Sequence, residues 1–257
     1  MKAGSCLVLL LLNTFLPALS WRLPHLPKLW LRRQQKLPIV SFADDFDAKS
    51  SNSVSSMNKV DSHFMKLALD EARKAAMRGE VPIGALVVRS MGNDGATNGG
   101  STNRTSMFQV LSADSNRVEE KRDASAHAEM LAMRKAAWHN KDATWRLLNT
   151  TLYSTVEPCV MCLAAAQAFR VGRIVYGAPD LRLGAIDTHM NLLDHPHPFH
   201  TIDKVDRGLF EEESAELLRG FFQAQRAKKK AEEKSRIHED VPLRRRLIFW
   251  RNRNGQN

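Results

Sequence analysis

Four side chains in this 257-residue chain have the types and spacing to hold a metal ion and move a proton beside it. His127 supplies an imidazole, Cys159 and Cys162 supply thiols, and Glu129 stands two positions after the histidine. One nitrogen and two sulfurs make three ligands for a tetrahedral Zn²⁺, with the fourth position left for water, which is the catalytic rather than the structural pattern. The two cysteines are three apart and follow Pro158, a residue tolerated in the first helical turn because its missing N–H has no partner there. The free N–H groups and the positive dipole end of such a turn stabilise thiolates. His127 sits likewise at the start of the Ala/Met/Leu-rich stretch 126–138, so two helix N-termini can meet at one ion. The two-residue offset turns Glu129 to another side of its helix start, free of the metal. A carboxylate there takes a proton from an activated water and hands it to a leaving nitrogen.

These residues need a sheet and helices to bring them together. Phe64, Leu67, Ala68, Ala72 and Ala75 recur at helical spacing, and Arg78-Gly79 closes that segment. Residues 81–88 read as a buried strand, 107–111 as a second, and 90–106, dense in Gly, Asn, Ser and Thr, as a flexible insertion between them. Residues 126–138 and 160–170 read as helices, 151–156 and 173–177 as strands. Residues 211–226 form a closing amphipathic helix, with Leu217, Leu218, Phe221 and Phe222 on its apolar side. Such alternation predicts a single α/β domain, a sheet covered by helices, over residues 59–227.

The net charge of +10 belongs to the ends of the chain. Residues 61–225 carry 19 Lys and Arg against 21 Asp and Glu, whereas 226–257 carry 11 against 4 and 1–60 carry 8 against 3. Residues 1–20 have a charged start, an apolar run over 7–12 and small residues before position 21, the pattern of a signal peptide. Residues 21–43 contain five basic residues and no acid, a transit-like composition, and 44–58 read as a disordered polar spacer. A signal followed by a transit segment resembles the two-part presequences of plastids bounded by extra membranes, which points to a plastid and no membrane in the mature form. Another organelle, or the cytosol from an internal start at Met57, is the alternative.

Other features carry less. The Cys-x-x-Cys pair also suits a thioredoxin-like redox site, but several elements precede it in the chain. His195, His197 and His200 are separated by prolines and read as loop residues. The sequons at Asn103 and Asn149 are short matches of a kind frequent by chance.

His-x-Glu followed downstream by Pro-Cys-x-x-Cys is the zinc-deaminase signature. Around it the chain resembles the bacterial and plastid tRNA adenosine deaminases, from about Asp61 to Arg226. The resemblance is carried by Glu80-Val81-Pro82-Ile83-Gly84-Ala85, Asn116-Arg117, Ala126-His127-Ala128-Glu129-Met130 and 151–162, with His197-Pro198-Phe199-His200, Arg207-Gly208-Leu209 and Phe221-Phe222 closest to that branch. It implies a three-layer α/β/α cytidine-deaminase-like fold with a mixed sheet of about five strands, a homodimer, and one Zn²⁺ per subunit on His127, Cys159 and Cys162. It further implies hydrolytic deamination of the wobble adenosine (position 34) of tRNA to inosine by zinc-activated hydroxide, with Glu129 as the proton shuttle. Asn116 would contact the base, with Val81 and Ala128 beside it. The plastid branch suggests the anticodon arm of an arginine tRNA with an ACG anticodon. A deaminase of free guanine or dCMP is the alternative, and a non-catalytic zinc subunit is disfavoured by the presence of Glu129. Two departures stand out: Pro179 where the family often has Arg, with Arg182 in reach of replacing a nearby Lys, and the insertion 90–106. The basic tail 228–257, with Lys228-Lys229-Lys230 and Arg244-Arg245-Arg246, reads either as a grip on tRNA phosphates or as a solvated extension.

Overall fold

Successive side chains of a strand point to opposite faces, so a run such as Ala85-Leu86-Val87-Val88 needs apolar cover on both sides. The computed structural model describes residues 39–43, 53–91, 105–140, 144–195 and 197–253, and it supplies that cover. Six strands, β1 (Ile39–Ala43), β2 (Gly84–Met91), β3 (Thr105–Ser115), β4 (Thr150–Val156), β5 (Arg173–Ala178) and β6 (Lys204–Asp206), form one sheet in the order β1-β3-β2-β4-β5-β6. β1, β3, β2 and β4 pair antiparallel, while β4, β5 and β6 pair parallel, so the sheet is mixed.

The helices are α1 (Ser53–Met77), α2 (Val118–Lys121), α3 (Ala128–Trp138), α4 (Val160–Phe169) and α5 (Glu211–Arg253). Ala85 and Val87 join Leu152 and Ile174 against Ala132, Met133 and Ala136 of α3 and Leu163 and Ala166 of α4. Leu86 and Val88 join Tyr153 and Val175 against Phe64, Met65 and Ala68 of α1. Helices thus cover both faces, giving the three layers expected. Full burial of each large side chain contributes about 1.5–3 kcal/mol. Gly84 lets α1 approach the start of β2, since a Cβ there would overlap the Ala68 carbonyl and the Ala72 amide. A half-buried charge network ties the layers: Arg173 donates to both Asp61 oxygens (2.8 and 2.7 Å) and to Asp206 (2.7 Å), and the Tyr153 hydroxyl donates to Asp61 (2.7 Å).

Several details differ from the sequence reading. The sheet has six strands, because the pentad Ile39–Ala43 pairs with β3 and the triad Lys204–Asp206 with β5. Part of the stretch read as spacer is helical, since α1 begins at Ser53. β2 begins at Gly84, leaving 81–83 outside the strand at the edge of the site, where the Ile83 N–H turns back to the Val81 carbonyl (2.8 Å). α5 does not stop near residue 226 but runs to Arg253; the Ala, Lys, Glu and Arg of 227–236 are strong helix formers and carry it past the apolar stretch. The signal-like segment 1–20, the basic stretch as far as residue 38 and residues 92–104 of the insertion lie outside the described residues. Among the described residues, no helix is long and apolar enough to cross a membrane.

Candidate active site

His127 and Cys159 are the N-cap residues of α3 and α4, both in extended backbone (φ −69°, ψ 152° and φ −73°, ψ 172°). N-cap side chains usually bond the free N–H groups of their own helix; these two do not. Each backbone carbonyl still starts its helix, Leu131 N–H donating to His127 and Leu163 N–H to Cys159. The imidazole and thiol are therefore left to face each other, and Cys162 joins them from the first turn of α4. Both sulfurs lie 3.6 Å from His127 Nδ1, and the three ligand atoms all fall within 4.8 Å of one another. A tetrahedral zinc with bonds of about 2.0 Å to nitrogen and 2.3 Å to sulfur sets those atoms about 3.5 Å apart. The donor set and its spacing fit Zn²⁺.

The electrostatics are preformed. The Cys162 thiol and the His127 ring hydrogen-bond the Cys159 sulfur and hold its pKa down to about 4, against the opposing effect of burial. Cys162, as the donor to that thiolate and buried, is pushed up. His127 is raised by its bond to Cys159, with burial opposing. Cys159 is thus a thiolate in the apoprotein, matched to a cation.

Glu129 is 3 % exposed, and among the described residues its Oε2 has no hydrogen-bond partner. An unpartnered buried carboxylate oxygen is costly, and burial pushes its pKa up to about 7. The group sits beside the ligand cluster, where the charges of His127 and Cys159 act on it in opposite senses.

Behind Cys159, Glu157 performs a task that no motif reveals. Its Oε1 accepts N–H bonds from Ile186 (3.0 Å), Asp187 (2.7 Å) and Thr188 (3.2 Å), and its Oε2 accepts from Asp180 N–H (3.1 Å) and the Thr188 hydroxyl (2.7 Å). These donors outweigh burial and hold its carboxyl below the usual range. The loop 180–188 is wound around this carboxylate, and Gly184 pairs with Cys159 at its centre. A Cβ on Gly184 would overlap the Glu157 carboxylate and Thr188 Oγ1, so only glycine fits.

The cluster opens into a cavity of about 500 Å³ whose lining includes His127, Glu129, Cys159, Asn116, Val81 and Arg182. Asn116 is buried and its Oδ1 accepts the Ala128 N–H (2.9 Å), a free donor at the start of α3. That bond fixes the amide orientation and leaves the NH₂ as the donor available to a guest. Ala128, by contrast, is fully buried and does not line the cavity; its contribution is the N–H that holds Asn116. Phe221, Phe222 and Gln225 of α5 close one side, and the Arg182 guanidinium lies 5.6 Å from the centre of the Phe222 ring. The short helix α2 adds Val118 and Glu119 to the wall; four residues leave no periodicity to read. The histidine loop forms no second metal cluster among the described residues. His197 Nδ1 accepts the Phe199 and His200 amides, and His200 Nε2 bonds the Val171 carbonyl.

Comparison with known proteins agrees with this geometry. Residues 58–178 match the family described as the cytidine and deoxycytidylate deaminase zinc-binding region. The chain is 41% identical over 164 residues to a tRNA-specific adenosine deaminase of Agrobacterium fabrum, covering 64% of this chain and 95% of that one. It is 38% identical over 179 residues to a chloroplastic tRNA(adenine(34)) deaminase of Arabidopsis thaliana, covering 64% of this chain and 12% of that much longer one. A solved structure from a study of A-to-I editing by tRNA:A34 deaminases at the wobble position of transfer RNA superposes with a TM-score of 0.50 at 39% identity. It covers 61% of this chain and 99% of its own.

Proposed function

The chain belongs to the tRNA-specific adenosine deaminases, and from that premise we propose that it hydrolyses the wobble adenosine (position 34) of tRNA to inosine. The observation that carries this reading is the buried, unpartnered Oε2 of Glu129 beside the convergent ligand atoms of His127, Cys159 and Cys162. When bound, Zn²⁺ supplies the Lewis acidity that makes a water acidic near neutral pH. Glu129, with its pKa near 7, accepts a proton at Oε2 and returns it to the departing 6-amino nitrogen. Asn116 donates its NH₂ to a ring nitrogen of the purine, and Val81 packs on the base. The base must leave its stack to enter the cavity, and a single-stranded anticodon loop offers it at low cost.

The homodimer, the arginine tRNA with an ACG anticodon and the plastid address extend this proposal. The chloroplastic relative supports the last; the basic, acid-free composition of 21–43 agrees with it. Purified protein incubated with an anticodon-arm RNA, with free guanine and with dCMP tests the substrate class. Inosine in the RNA is the expected product; deamination of guanine or dCMP with the RNA untouched would refute it.

A further inference from the structure

Two stretches of this chain stand outside the deaminase pattern: the segment ahead of residue 58, where the family match begins, and the insertion 90–106. The sheet brings them together. β1 pairs antiparallel with the first five residues of β3, Ile39 opposite Gln109, Val40 opposite Phe108, Ser41 opposite Met107, Phe42 opposite Ser106 and Ala43 opposite Thr105. Thr105 and Ser106 belong to the insertion, so its return arm supplies part of the edge on which β1 lies.

That end of the β2–β3 hairpin needs the support. β4 pairs with β2 only over Ala85–Arg89, so Ser90 and Met91, opposite Phe108 and Met107, run past it. Val40 and Phe108 face each other across the β1–β3 pair, and both pack on the core cluster that contains Phe64 and Tyr153. The Phe108 ring stands edge-on to Phe64, with centroids 5.7 Å apart. Without β1 the outer edge of 105–109 would be bare, a template for foreign strands. Composition changes at the same place. Residues 21–36 carry Arg22, Lys28, Arg32, Arg33 and Lys36, whereas 37–43, Leu-Pro-Ile-Val-Ser-Phe-Ala, carry no charge. Ile, Val and Phe are strand formers, so the address-like composition ends just before the strand begins.

We infer that residues 39–43 are a working part of the enzyme, docked on the arm of the insertion, and that the peptidase removing the N-terminal address cuts upstream of Ile39; the second half rests on the address reading above. Met57 is then not the start of a fully stable form, since that start deletes β1 while leaving Val60, Phe64 and Met65 of α1 in the core.

The test compares zinc-loaded full chain with chains beginning at Leu37, Asp44 and Met57, and with full-chain Val40→Pro, which loses an N–H within the strand. Hydrogen exchange of the peptide 105–111, melting temperature and bound zinc are read for each. The Leu37 chain is expected to match the full chain. The Asp44, Met57 and Val40→Pro chains are expected to exchange that peptide at least about tenfold faster and to melt roughly 3–8 °C lower, with zinc still at one per chain. An Asp44 chain that fails to fold while the Leu37 chain folds would also support the strand. Asp44 and Val40→Pro chains indistinguishable from the full chain in exchange and melting would overturn its role. Mass spectrometry of the protein from its own cells reads the cut, with a first residue between positions 21 and 39 expected. A mature chain beginning after Ala43 would overturn the retained strand. A chain still beginning at Met1, or one exported from the cell, would instead overturn the address reading and leave β1 to the exchange and melting results.

Discussion

Removing the Glu157 carboxylate isolates what the loop 180–188 contributes, and the structure sets the size of the effect. Five donors converge on its two oxygens. In Glu157→Gln the amide oxygen takes the Oε1 position, where three N–H groups point, and the NH₂ takes the Oε2 position. The Thr188 hydroxyl keeps the Asp180 carbonyl as a partner at 2.5 Å, so one donor, Asp180 N–H, is left facing another. One buried unmade bond costs about 1–3 kcal/mol. In Glu157→Ala all four amides lose their acceptor, and the cost rises to about 3–5 kcal/mol, as for a broken buried charge interaction. For a unit of this size 1 kcal/mol corresponds to about 2–4 °C, so Glu157→Gln should lower Tm by roughly 2–12 °C and Glu157→Ala by roughly 6–20 °C. Scanning calorimetry of the zinc-loaded protein with metal quantitation supplies the assay. The alanine variant should also hold zinc more weakly, because Cys159 pairs with Gly184 on that loop. If both variants melt within 1 °C of the parent, at about the precision of the assay, the carboxylate does not hold the loop and the reasoning fails.

Glu129→Gln should reduce single-turnover deamination about 10³-fold while zinc stays at one per chain; a rate within tenfold of the parent would remove Glu129 as the proton shuttle. Asn116→Asp keeps an acceptor for Ala128 N–H but loses the NH₂, so kcat/KM should fall about 10²-fold with little change in Tm, whereas Asn116→Ala should lower both; matched melting losses in the two variants would show that the amide is only structural. Arg207 hydrogen-bonds Asp187 and, against burial, holds its carboxyl below the usual range. That stability is present above the unfolded pKa of about 3.9 and is lost as pH falls through the lower folded value. Asp187→Asn in the zinc-free protein should therefore lower the urea midpoint at pH 7 and flatten its decline below pH 4; parallel curves for parent and variant would contradict the pairing.

Much of the site was legible before any coordinates. His127, Glu129, Cys159 and Cys162 could be singled out because ligand type, spacing and helix-start residues are local properties; the structure clusters the ligand atoms of His127, Cys159 and Cys162 and sets His127, Glu129 and Cys159 on one cavity wall. The helices of the core were legible from their period, as were the interior strands. β1 and β6 were not: three to five residues carry too little alternation to stand out, and their identity as strands comes from the neighbour that pairs with them. α5 was underestimated because an apolar face was taken as the condition for a helix, whereas the exposed residues 227–236 are Ala, Lys, Glu, Ser and Arg, mostly good helix formers that need no apolar face.

The sequence by itself pointed to the reaction class, since three N/S ligands with a carboxylate two positions on form a water-activating set and their His-x-Glu and Pro-Cys-x-x-Cys context resembles the zinc deaminases. It also determined where the charge lies along the chain. Only the tertiary structure decided what Glu157 and Ala128 do. Both act through backbone N–H groups, and which amides point at a carboxylate or an amide oxygen depends on how a loop folds back, not on residue type. The structure also decided that the basic C-terminal residues start at the cavity wall, because a helix transmits direction along its axis while a list of charges does not.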